Sequence, residues 1–243
     1  MIDPKQILLT GGDGRLGTEL GKILTGMITP LYPQFDLTKP EIIEKTLDTY
    51  QPKLVVHAAA YTDVSGAEKN KNACWQVNVV GTRNLVKALN QRNLPLIHIS
   101  TDYVFDGTKG MYREDDPPGP VCNYYSLSKL VAEEIARMTP RHLVIRTSFR
   151  PREWPYPVAF TDIYTSQDYV DIIAPEIALA IRSYQDILHS TIHIATERKS
   201  VYDLARRRKA DVKPGSKKDA NVKLPDDISL DITRWTEWKK GNH

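Results

Sequence analysis

Short apolar runs recur along the first part of the chain, and longer segments with helical periodicity separate them. An apolar run of about four to eight residues that ends at a turn signal is typical of a strand buried on both faces of a parallel sheet. On this basis the sequence predicts strands at Gln6–Thr10, Met27–Tyr32, Lys53–His57, Leu96–Ser100 and Arg141–Arg146.

The segments between these runs carry apolar residues on one helical face. They predict helices at Thr18–Thr25, Pro40–Tyr50, Ala73–Gln91 and Ser128–Met138. Thr38 is placed to cap the second of these helices, and Pro40 fits its first turn. Strands that alternate with helices indicate an α/β fold built on a doubly wound parallel sheet with right-handed crossovers.

The pattern changes after Ser148. Arg150–Pro157 is so rich in proline that we expect it to be irregular. A short strand, a helix, a second strand and a second helix then follow at Asp162–Tyr164, Val170–Ser183, Thr191–Ala195 and Ser200–Lys209, with Ser200 as the cap of the last. Beyond Asp211 the chain is polar, and we expect Trp235 and Trp238 to dock its end.

Composition narrows the class of protein. The 243 residues are 41% hydrophobic and 26% charged, which is ordinary for a globular enzyme, and the formal charge of +3 is too mild to indicate a nucleic-acid partner. Cys74 and Cys122 lack the spacing of a disulfide framework or a thiolate metal site, so no metal is expected. No signal-peptide pattern and no membrane-spanning run are apparent, so we expect a cytoplasmic location and no membrane partner.

A glycine-rich turn follows the first predicted strand. Gly11, Gly14 and Gly17 stand in G-x-x-G-x-x-G spacing, with Asp13, Arg15 and Leu16 between them. A strand, a glycine-rich turn and a helix hold a dinucleotide pyrophosphate, because glycine admits the phosphates and the helix start offers free N–H groups. The alternative is a plain tight turn. The turn indicates a Rossmann-like sheet.

No acidic residue ends the predicted second strand, where many dinucleotide folds hold the adenosine ribose. The next carboxylate is Asp36, beyond Pro33. We therefore expect NADP(H) to be preferred, with NAD(H) as the alternative, and Arg15 is either a ligand of the 2′-phosphate or a solvated residue. Ala58, Ala59 and Ala60 suit a flat ligand at the end of a strand, and His57 is expected to be a core residue.

Polar groups follow the fourth predicted strand. Ser100, Thr101 and Asp102 lie at its carboxyl end, where ligands and catalytic groups collect in open parallel sheets. Tyr125 and Lys129 are four residues apart and so share one face of the next helix. A cation beside a phenol lowers the pKa of the phenol, which would make Tyr125 a proton donor near neutral pH. The alternative is an exposed pair on an ordinary helix.

Six motifs in this order resemble the extended short-chain dehydrogenase/reductase family, and within it the sugar-nucleotide reductases of the dTDP-4-dehydrorhamnose reductase kind. They are the glycine turn Gly11–Gly17, H-A-A-A-Y-T-D-V at His57–Val64, V-N-V-V-G-T at Val77–Thr82, I-S-T-D-Y-V-F-D-G at Ile99–Gly107, Y-S-L-S-K at Tyr125–Lys129 and I-R-T-S at Ile145–Ser148. Weaker matches follow as far as Thr233.

The resemblance implies a role for each matching residue. It implies that Tyr125 donates the proton, Lys129 orients the nicotinamide ribose, Thr101 fixes the keto oxygen and Asp102 shares that signature. It implies that hydride passes from the nicotinamide to the C4 keto carbon of a nucleotide-linked deoxysugar. The implied cofactor-binding set is Gly11, Asp13, Gly14, Arg15, Leu16, Gly17, Asp36, Leu37, Ala58, Ala59, Ala60, Tyr61, Asn78, Ser100, Tyr125 and Lys129.

The resemblance also implies a division of the chain. We expect a dinucleotide-binding domain over 1–148 and a small, shortened substrate lobe over 149–243, of which about 160–195 returns to the sheet. Pro120 lies one residue further from Tyr125 than the family pattern has it, so Tyr124 competes for the catalytic position. Only Tyr125 has its lysine.

Two classes of function remain open at this point. The first is a reductase in deoxysugar or polysaccharide biosynthesis. The second is a non-catalytic, cofactor-binding regulatory subunit resembling that of methionine adenosyltransferase, and the shortened lobe favours it. Nucleic-acid binding through the basic residues near Arg206–Lys209 is a third and weaker reading, and no nucleic-acid partner is expected. A homodimer is compatible with the sequence.

Overall fold

The computed structural model describes residues 2–220 and 224–242. Its strands are β1 Ile7–Thr10, β2 Leu54–His57, β3 Leu96–Thr101, β4 His142–Thr147, β5 Phe149–Arg150, β6 Val158–Phe160, β7 Tyr164–Thr165, β8 Asp168–Tyr169, β9 Thr191–Ile194, β10 Lys199–Ser200 and β11 Lys213–Gly215. Its α-helices are α1 Arg15–Ile23, α2 Pro40–Tyr50, α3 Val64–Lys69, α4 Lys71–Trp75, α5 Thr82–Gln91, α6 Tyr124–Ala136, α7 Val170–Arg182, α8 Val201–Arg206 and α9 Thr233–Asn242.

The central sheet is parallel and has the strand order β1-β2-β3-β4-β9. Alternate strand residues face opposite sides, so the sheet has two apolar faces. Leu9 and Val56 pack with α1 and α7 on one face, and Leu8 and Val55 pack with α2 and α5 on the other. Helices on both faces make the sheet doubly wound, and the predicted fold class is confirmed.

The predicted strand at Met27–Tyr32 is wrong. Only Ile28 pairs with β1, through a parallel bridge to Leu8, with the Leu9 amide donating to its carbonyl at 2.8 Å. Pro30 has no amide hydrogen for a continued ladder, and the chain turns away there. This segment therefore contributes one bridge at the sheet edge.

The predicted helix at Ala73–Gln91 is helical throughout but not regular. A π-helical segment, Gln76–Gly81, joins α4 to α5. Each π turn inserts an extra residue and shifts the faces that the flanking segments present. Asn78 lies inside this segment and is 2% exposed.

The chain after Ser148 divides its contacts between the sheet and a separate core. β9 extends the sheet beside β4, and α7 packs against α1. Trp154, Ile163, Tyr169 and Leu204 belong to a small core away from the sheet. The division at residue 148 stays a prediction, and residues 221–223 and 243 of the predicted lobe lie outside the described residues.

Two details of this region differ from expectation. Arg150, placed in an irregular segment, pairs with Tyr169 as part of β5 and β8. The strand expected at Asp162–Tyr164 is replaced by β6 and β7 on either side of Asp162. The Asp162 carboxylate instead accepts hydrogen bonds from the Ser216 hydroxyl at 2.6 Å and the Lys217 amide at 2.8 Å.

The end of the described chain docks as expected. Trp235 is 2% exposed, stacks on Trp238 with ring centroids 5.0 Å apart, and donates its indole N–H to Glu176 on α7 at 2.6 Å. Among the described helices, none combines the length and the apolar character that a bilayer crossing needs.

Two buried histidines lie side by side in the sheet. His57 contacts the Thr10 and Thr82 hydroxyls at 2.8 and 2.9 Å, so the prediction of a core histidine is confirmed. His98 packs against it with ring centroids 5.2 Å apart, and neither of its ring nitrogens has a hydrogen-bond partner among the described residues. Burial lowers the pKa of His57 to about 3 and also lowers the pKa of His98.

We expect His98→Leu to stabilise the protein by about 1 kcal/mol near neutral pH, because it removes an unpaired buried polar group. The lowered pKa also means that the unfolded chain binds a proton below about pH 6.5 while the folded chain does not. Each such histidine therefore costs up to about 1.4 kcal/mol of stability for every pH unit of acidification in that window. The variant should lose less stability than the parent between about pH 6.5 and pH 5.

Urea denaturation at the two pH values measures both effects. His57→Leu is the matched control, since it forfeits two hydrogen bonds and is expected to destabilise the protein by about 1–3 kcal/mol. Equal losses of unfolding free energy in His98→Leu and His57→Leu would contradict the prediction.

Candidate active site

The glycine turn closes one end of a cleft of about 660 Å³ at the carboxyl edge of the sheet. Gly11 has a φ of +72°, which favours glycine, and a Cβ there would lie 2.8 Å from the Ala59 backbone. At Gly17 a Cβ would lie 2.2 Å from the Gly11 carbonyl oxygen. α1 begins at Arg15, and no side chain caps its start at Gly14. Free N–H groups therefore face the cleft, as a phosphate site requires.

Most of the predicted cofactor-binding residues line this cleft. They are Gly11, Asp13, Gly14, Arg15, Leu16, Gly17, Asp36, Leu37, Ala58, Ala59, Ala60, Ser100, Tyr125 and Lys129, and Thr101 lines it as well. Tyr61, Asn78 and Asp102 do not line it. The structure thus brings the glycine turn and the Tyr125 helix to one continuous cavity.

The proton-transfer group lies at the opposite end of the cleft from the glycine turn. Tyr125 and Lys129 are on one face of α6, which Asn123 caps by accepting a hydrogen bond from the Ser126 amide at 2.8 Å. The Lys129 ammonium donates to the Ile99 carbonyl of β3 at 2.8 Å. The Thr101 hydroxyl, at the end of the same strand, is close enough to the Tyr125 phenol to lower its pKa. The three predicted side chains therefore line one cleft.

Burial changes the proton affinities of this group. It raises the pKa of Tyr125, with the nearby Asp102 carboxylate adding to the rise and the Thr101 hydroxyl opposing it. It lowers the pKa of Lys129 to about 8. The expectation that the pKa of Tyr125 is lowered is therefore wrong in this structure, because loss of hydration is the largest influence on the phenol. Tyr125 is a protonated phenol at neutral pH.

Asp102 supports this end of the cleft from behind. Its carboxylate is fully buried and accepts a hydrogen bond from the Thr101 hydroxyl at 3.1 Å. Burial raises the pKa of Asp102 to about 6, and the charge of Arg150 is among the influences that oppose the rise. Arg150 itself donates to the Gln167 side chain at 3.0 Å and packs over Trp154.

Asn78 acts on the site through its neighbours. Its side-chain oxygen accepts from the Tyr61 amide at 2.7 Å, and its side-chain nitrogen donates to the Ser128 hydroxyl at 2.9 Å. Ser128 in turn donates to the Tyr125 carbonyl at 2.7 Å. Asn78 therefore ties the loop after β2 to the first turn of α6, and Tyr61 belongs to this support rather than to the cleft wall.

The two adjacent tyrosines have different surroundings. Tyr124 packs near Trp75 with ring centroids 6.3 Å apart, and its backbone amide donates to Glu68 at 2.7 Å. Tyr124 does not line the cleft, whereas Tyr125 does.

Further residues line the cleft that the sequence interpretation did not assign to it. They are Thr10, Pro30, Tyr32, Phe35, Thr38, Thr62, Val64, Val77, Ile99, Tyr103, Thr147, Ser148 and Phe149. Thr147 and Ser148 carry a usable signal, because Thr147 ends β4 and Ser148 follows it, at the edge where Thr101 ends β3. Tyr32 and Phe35 lie in the irregular segment after Ile28, where no periodic pattern marks them.

The basic residues near the end of α8 form ion pairs outside the cleft. Arg207 forms an ion pair with Asp168 at 2.7 Å, and Arg208 forms one with Asp171 at 2.8 Å. Neither arginine lines the cleft. These contacts tie α8 to β8 and α7.

Comparison with known proteins places these features in a family. The model of the RmlD substrate binding domain matches residues 5–151. The chain is 31% identical over 181 residues to a dTDP-4-dehydrorhamnose reductase of Aggregatibacter actinomycetemcomitans, covering 71% of this chain and 61% of that protein. It is 40% identical over 149 residues to one of Burkholderia thailandensis, covering 59% and 50%. The chain thus spans about half to three fifths of these curated relatives.

Solved structures extend the likeness over the whole fold. A hypothetical dTDP-4-dehydrorhamnose reductase of Sulfolobus tokodaii matches with a TM-score of 0.82 and 32% identity, over 96% of this chain and 94% of that one. A dTDP-4-dehydrorhamnose reductase of Bacillus anthracis, solved in complex with NADP, has the same fold with a TM-score of 0.82 and 23% identity, over 97% and 96% of the two chains.

We expect Gly17→Ala to distort the glycine turn, because its Cβ would overlap the Gly11 carbonyl oxygen. The variant should lose the rise in melting temperature that a bound dinucleotide gives the parent protein. Thermal denaturation with and without NADPH measures this.

Gly21→Ala is the matched control on the same helix. Outside the adjacent backbone of its own helix, no atom of the described residues lies within 4 Å of a Cβ at Gly21, so we expect Gly21→Ala to add about 0.5–1 kcal/mol of stability and to leave the response to NADPH intact. A Gly17→Ala protein that NADPH stabilises as strongly as the parent would refute the assignment of this turn.

Proposed function

We propose a function from the premise that this chain belongs to the RmlD substrate binding domain family: it is an NADP(H)-dependent reductase of the 4-keto group of a nucleotide-linked deoxysugar. The reaction belongs to deoxysugar or polysaccharide biosynthesis. The observation that carries the proposal is the convergence of Thr101, Tyr125 and Lys129 in one cleft with the glycine turn.

The cleft fits a dinucleotide along its length. The glycine turn and the start of α1 offer N–H groups to the pyrophosphate, and Ala58–Ala60 form a wall that lacks bulky side chains. Lys129 lines the cleft from α6 and would contact the nicotinamide ribose. A bound reduced nicotinamide supplies the hydride for carbonyl reduction.

The residues of the protein supply the proton and orient the keto group of the substrate. The Tyr125 phenol, which is protonated at neutral pH, donates to the keto oxygen as charge develops there. With substrate bound, the Thr101 hydroxyl would turn its single proton from Asp102 to the keto oxygen and so fix the position of that oxygen. Asp102 holds the Thr101 hydroxyl from behind, since the two are 3.1 Å apart. All four predicted catalytic residues thus have a role.

The preference for NADP(H) over NAD(H) rests on the adenosine end of the cleft. Asp36 accepts hydrogen bonds from the Thr38 amide and hydroxyl at 2.9 and 2.7 Å through one carboxylate oxygen. That carboxylate oxygen is occupied within the loop, whereas Arg15 lines the cleft at the start of α1. A 2′-phosphate is favoured by such an arrangement, in which a cation faces the ligand.

The proposal extends to the partners and location of the enzyme. We propose that the substrate lobe over 149–243 holds the nucleotide sugar and that the protein has no nucleic-acid or membrane partner. A cytoplasmic location agrees with the free thiols of Cys74 and Cys122. A homodimer is the oligomeric state that we propose to test first.

A regulatory subunit without turnover is the second candidate. Between Thr147 and Val170 the chain has only two- and three-residue strands and irregular links, so this part of the lobe carries no helix. Such a subunit would bind the cofactor in the same cleft and reduce no sugar.

We expect Tyr125→Phe to lower the rate of reduction by about a hundredfold or more, because the proton donor is lost while the ring remains. Oxidation of NADPH, followed by absorbance with a panel of dTDP- and UDP-linked 4-keto-6-deoxysugars, measures it. Tyr124→Phe is the matched control and should keep the rate. Stabilisation by NADPH without turnover on any sugar would favour the regulatory candidate instead.

The pH dependence should follow Lys129. Its pKa of about 8 means that the ammonium is charged below that value and neutral above it. We expect kcat/KM for NADPH, which reports the unliganded protein, to be level near neutral pH and to fall about tenfold per pH unit above the pKa. A profile level to about pH 10 would exclude a role for the Lys129 charge. Lys129→Arg, whose side chain stays charged, should remove the fall.

A further inference from the structure

α6 carries a third ionisable side chain on the face that bears Tyr125 and Lys129. Glu133 follows Lys129 by four residues, as Lys129 follows Tyr125, so the three side chains lie on successive turns. The exposed fractions are 8% for Tyr125, 4% for Lys129 and 0% for Glu133. A fully buried carboxylate is rare without a function or a set of partners.

The Glu133 carboxylate has a complete set of partners. One oxygen accepts from Arg146 and from Arg137, each at 2.7 Å, and the other accepts from the Ser100 hydroxyl at 2.6 Å. Burial alone favours the neutral acid, but Arg146, Ser100 and Arg137 outweigh it and lower the pKa of Glu133. The carboxylate is therefore ionised at neutral pH, in a region from which water is excluded.

The negative charge of Glu133 acts on the Lys129 ammonium in the cofactor cleft. Burial lowers the pKa of Lys129 by removing its hydration, and the Glu133 carboxylate is the first influence that opposes the fall. The ammonium has the Ile99 carbonyl as its hydrogen-bond acceptor, at 2.8 Å. A neutral amine at this place would neither attract the dinucleotide nor point reliably at its ribose.

Other charged and titratable groups surround Lys129. His57 on β2, His98 on β3 and Cys74 on α4 are buried near it, and Arg146 on β4 and Arg137, which follows α6, form ion pairs with Glu133. Both histidines are neutral because their pKa values are lowered. Glu133 thus pairs with both arginines and is the first influence that raises the pKa of Lys129.

We infer that Glu133 is a positioning residue that keeps the Lys129 ammonium charged and directed at the cofactor cleft through their shared face of α6. The role of Lys129 in reduction rests on the proposed function, but the effect of Glu133 on its charge does not. The two claims can therefore be tested separately.

The direct test follows the titration of Lys129 itself. In protein labelled with 13C-lysine, the Lys129 resonance is assigned by its disappearance in Lys129→Arg and is followed from about pH 6 to about pH 11. In Glu133→Gln we expect the Lys129 midpoint to fall by about one pH unit or more. The alkaline fall of kcat/KM for NADPH should move by the same amount.

Two control variants separate charge from packing. Glu134→Gln removes the neighbouring carboxylate, whose side chain is 60% exposed and pairs with Arg137, and should leave the Lys129 midpoint in place. Glu133→Asp keeps the buried charge and should hold the midpoint closer to that of the parent than Glu133→Gln does. A purely structural Glu133 would change stability and not the midpoint.

Glu133→Gln leaves Arg146 buried without its counter-ion, so a second variant guards against a failure to fold. Glu133→Met combined with Arg146→Met removes both buried charges, and such apolar replacement of a buried ion pair is often tolerated. We expect the Lys129 midpoint to fall here too. An unchanged midpoint in the folded variants overturns the inference. If the parent protein shows no turnover but the variants show the shift of the Lys129 midpoint, the proposed reductase function is refuted. The inference about Glu133 then still holds.

Discussion

The contact between α6 and the carboxyl ends of β3 and β4 is the constraint on which the site depends. Glu133 is bound at once by Ser100 of β3 and Arg146 of β4, which are paired neighbours in the sheet. Thr101 is one residue beyond Ser100, and Tyr125 is two turns before Glu133. A buried ionic contact thus sets the distance between a strand-end hydroxyl and a helix-borne phenol, which no local preference of either segment specifies.

The other end of the cleft is held by steric exclusion. Gly11 and Gly17 let the turn close on itself and on the Ala59 backbone, and no larger side chain has room there. Close packing therefore fixes the shape of the turn, and among the described residues no side chain caps the start of α1. Hydrogen bonding through Asn78 then joins the loop after β2 to α6, so the walls of the cleft are fixed relative to each other.

Residues in regular elements were predictable from sequence where the signal is local. The apolar runs of β1 to β4 and the Ser200 cap of α8 fall where they were expected. The predicted second strand does not form beyond Ile28, because Pro30 lacks the amide hydrogen that a continued strand ladder needs, although the segment is apolar. The π-helical segment around Asn78 was not predictable, since its extra residues are accommodated by partners from distant segments. The roles of the predicted site residues rest on placement in the cleft and stay proposals.

The proton affinities show why spacing alone gave the wrong sign for Tyr125. A four-residue offset brings a cation near a phenol, and in water that pairing would lower the pKa of the phenol. Burial acts on both groups and favours the neutral form of each, so it raises the pKa of Tyr125 and lowers that of Lys129. At neutral pH the phenol holds the proton that ketone reduction consumes, but its raised pKa makes it a weaker proton donor. Burial lowers the pKa of the Lys129 ammonium and so favours its neutral form. The ionised Glu133 carboxylate, one turn further along α6, opposes this effect and favours the charged form.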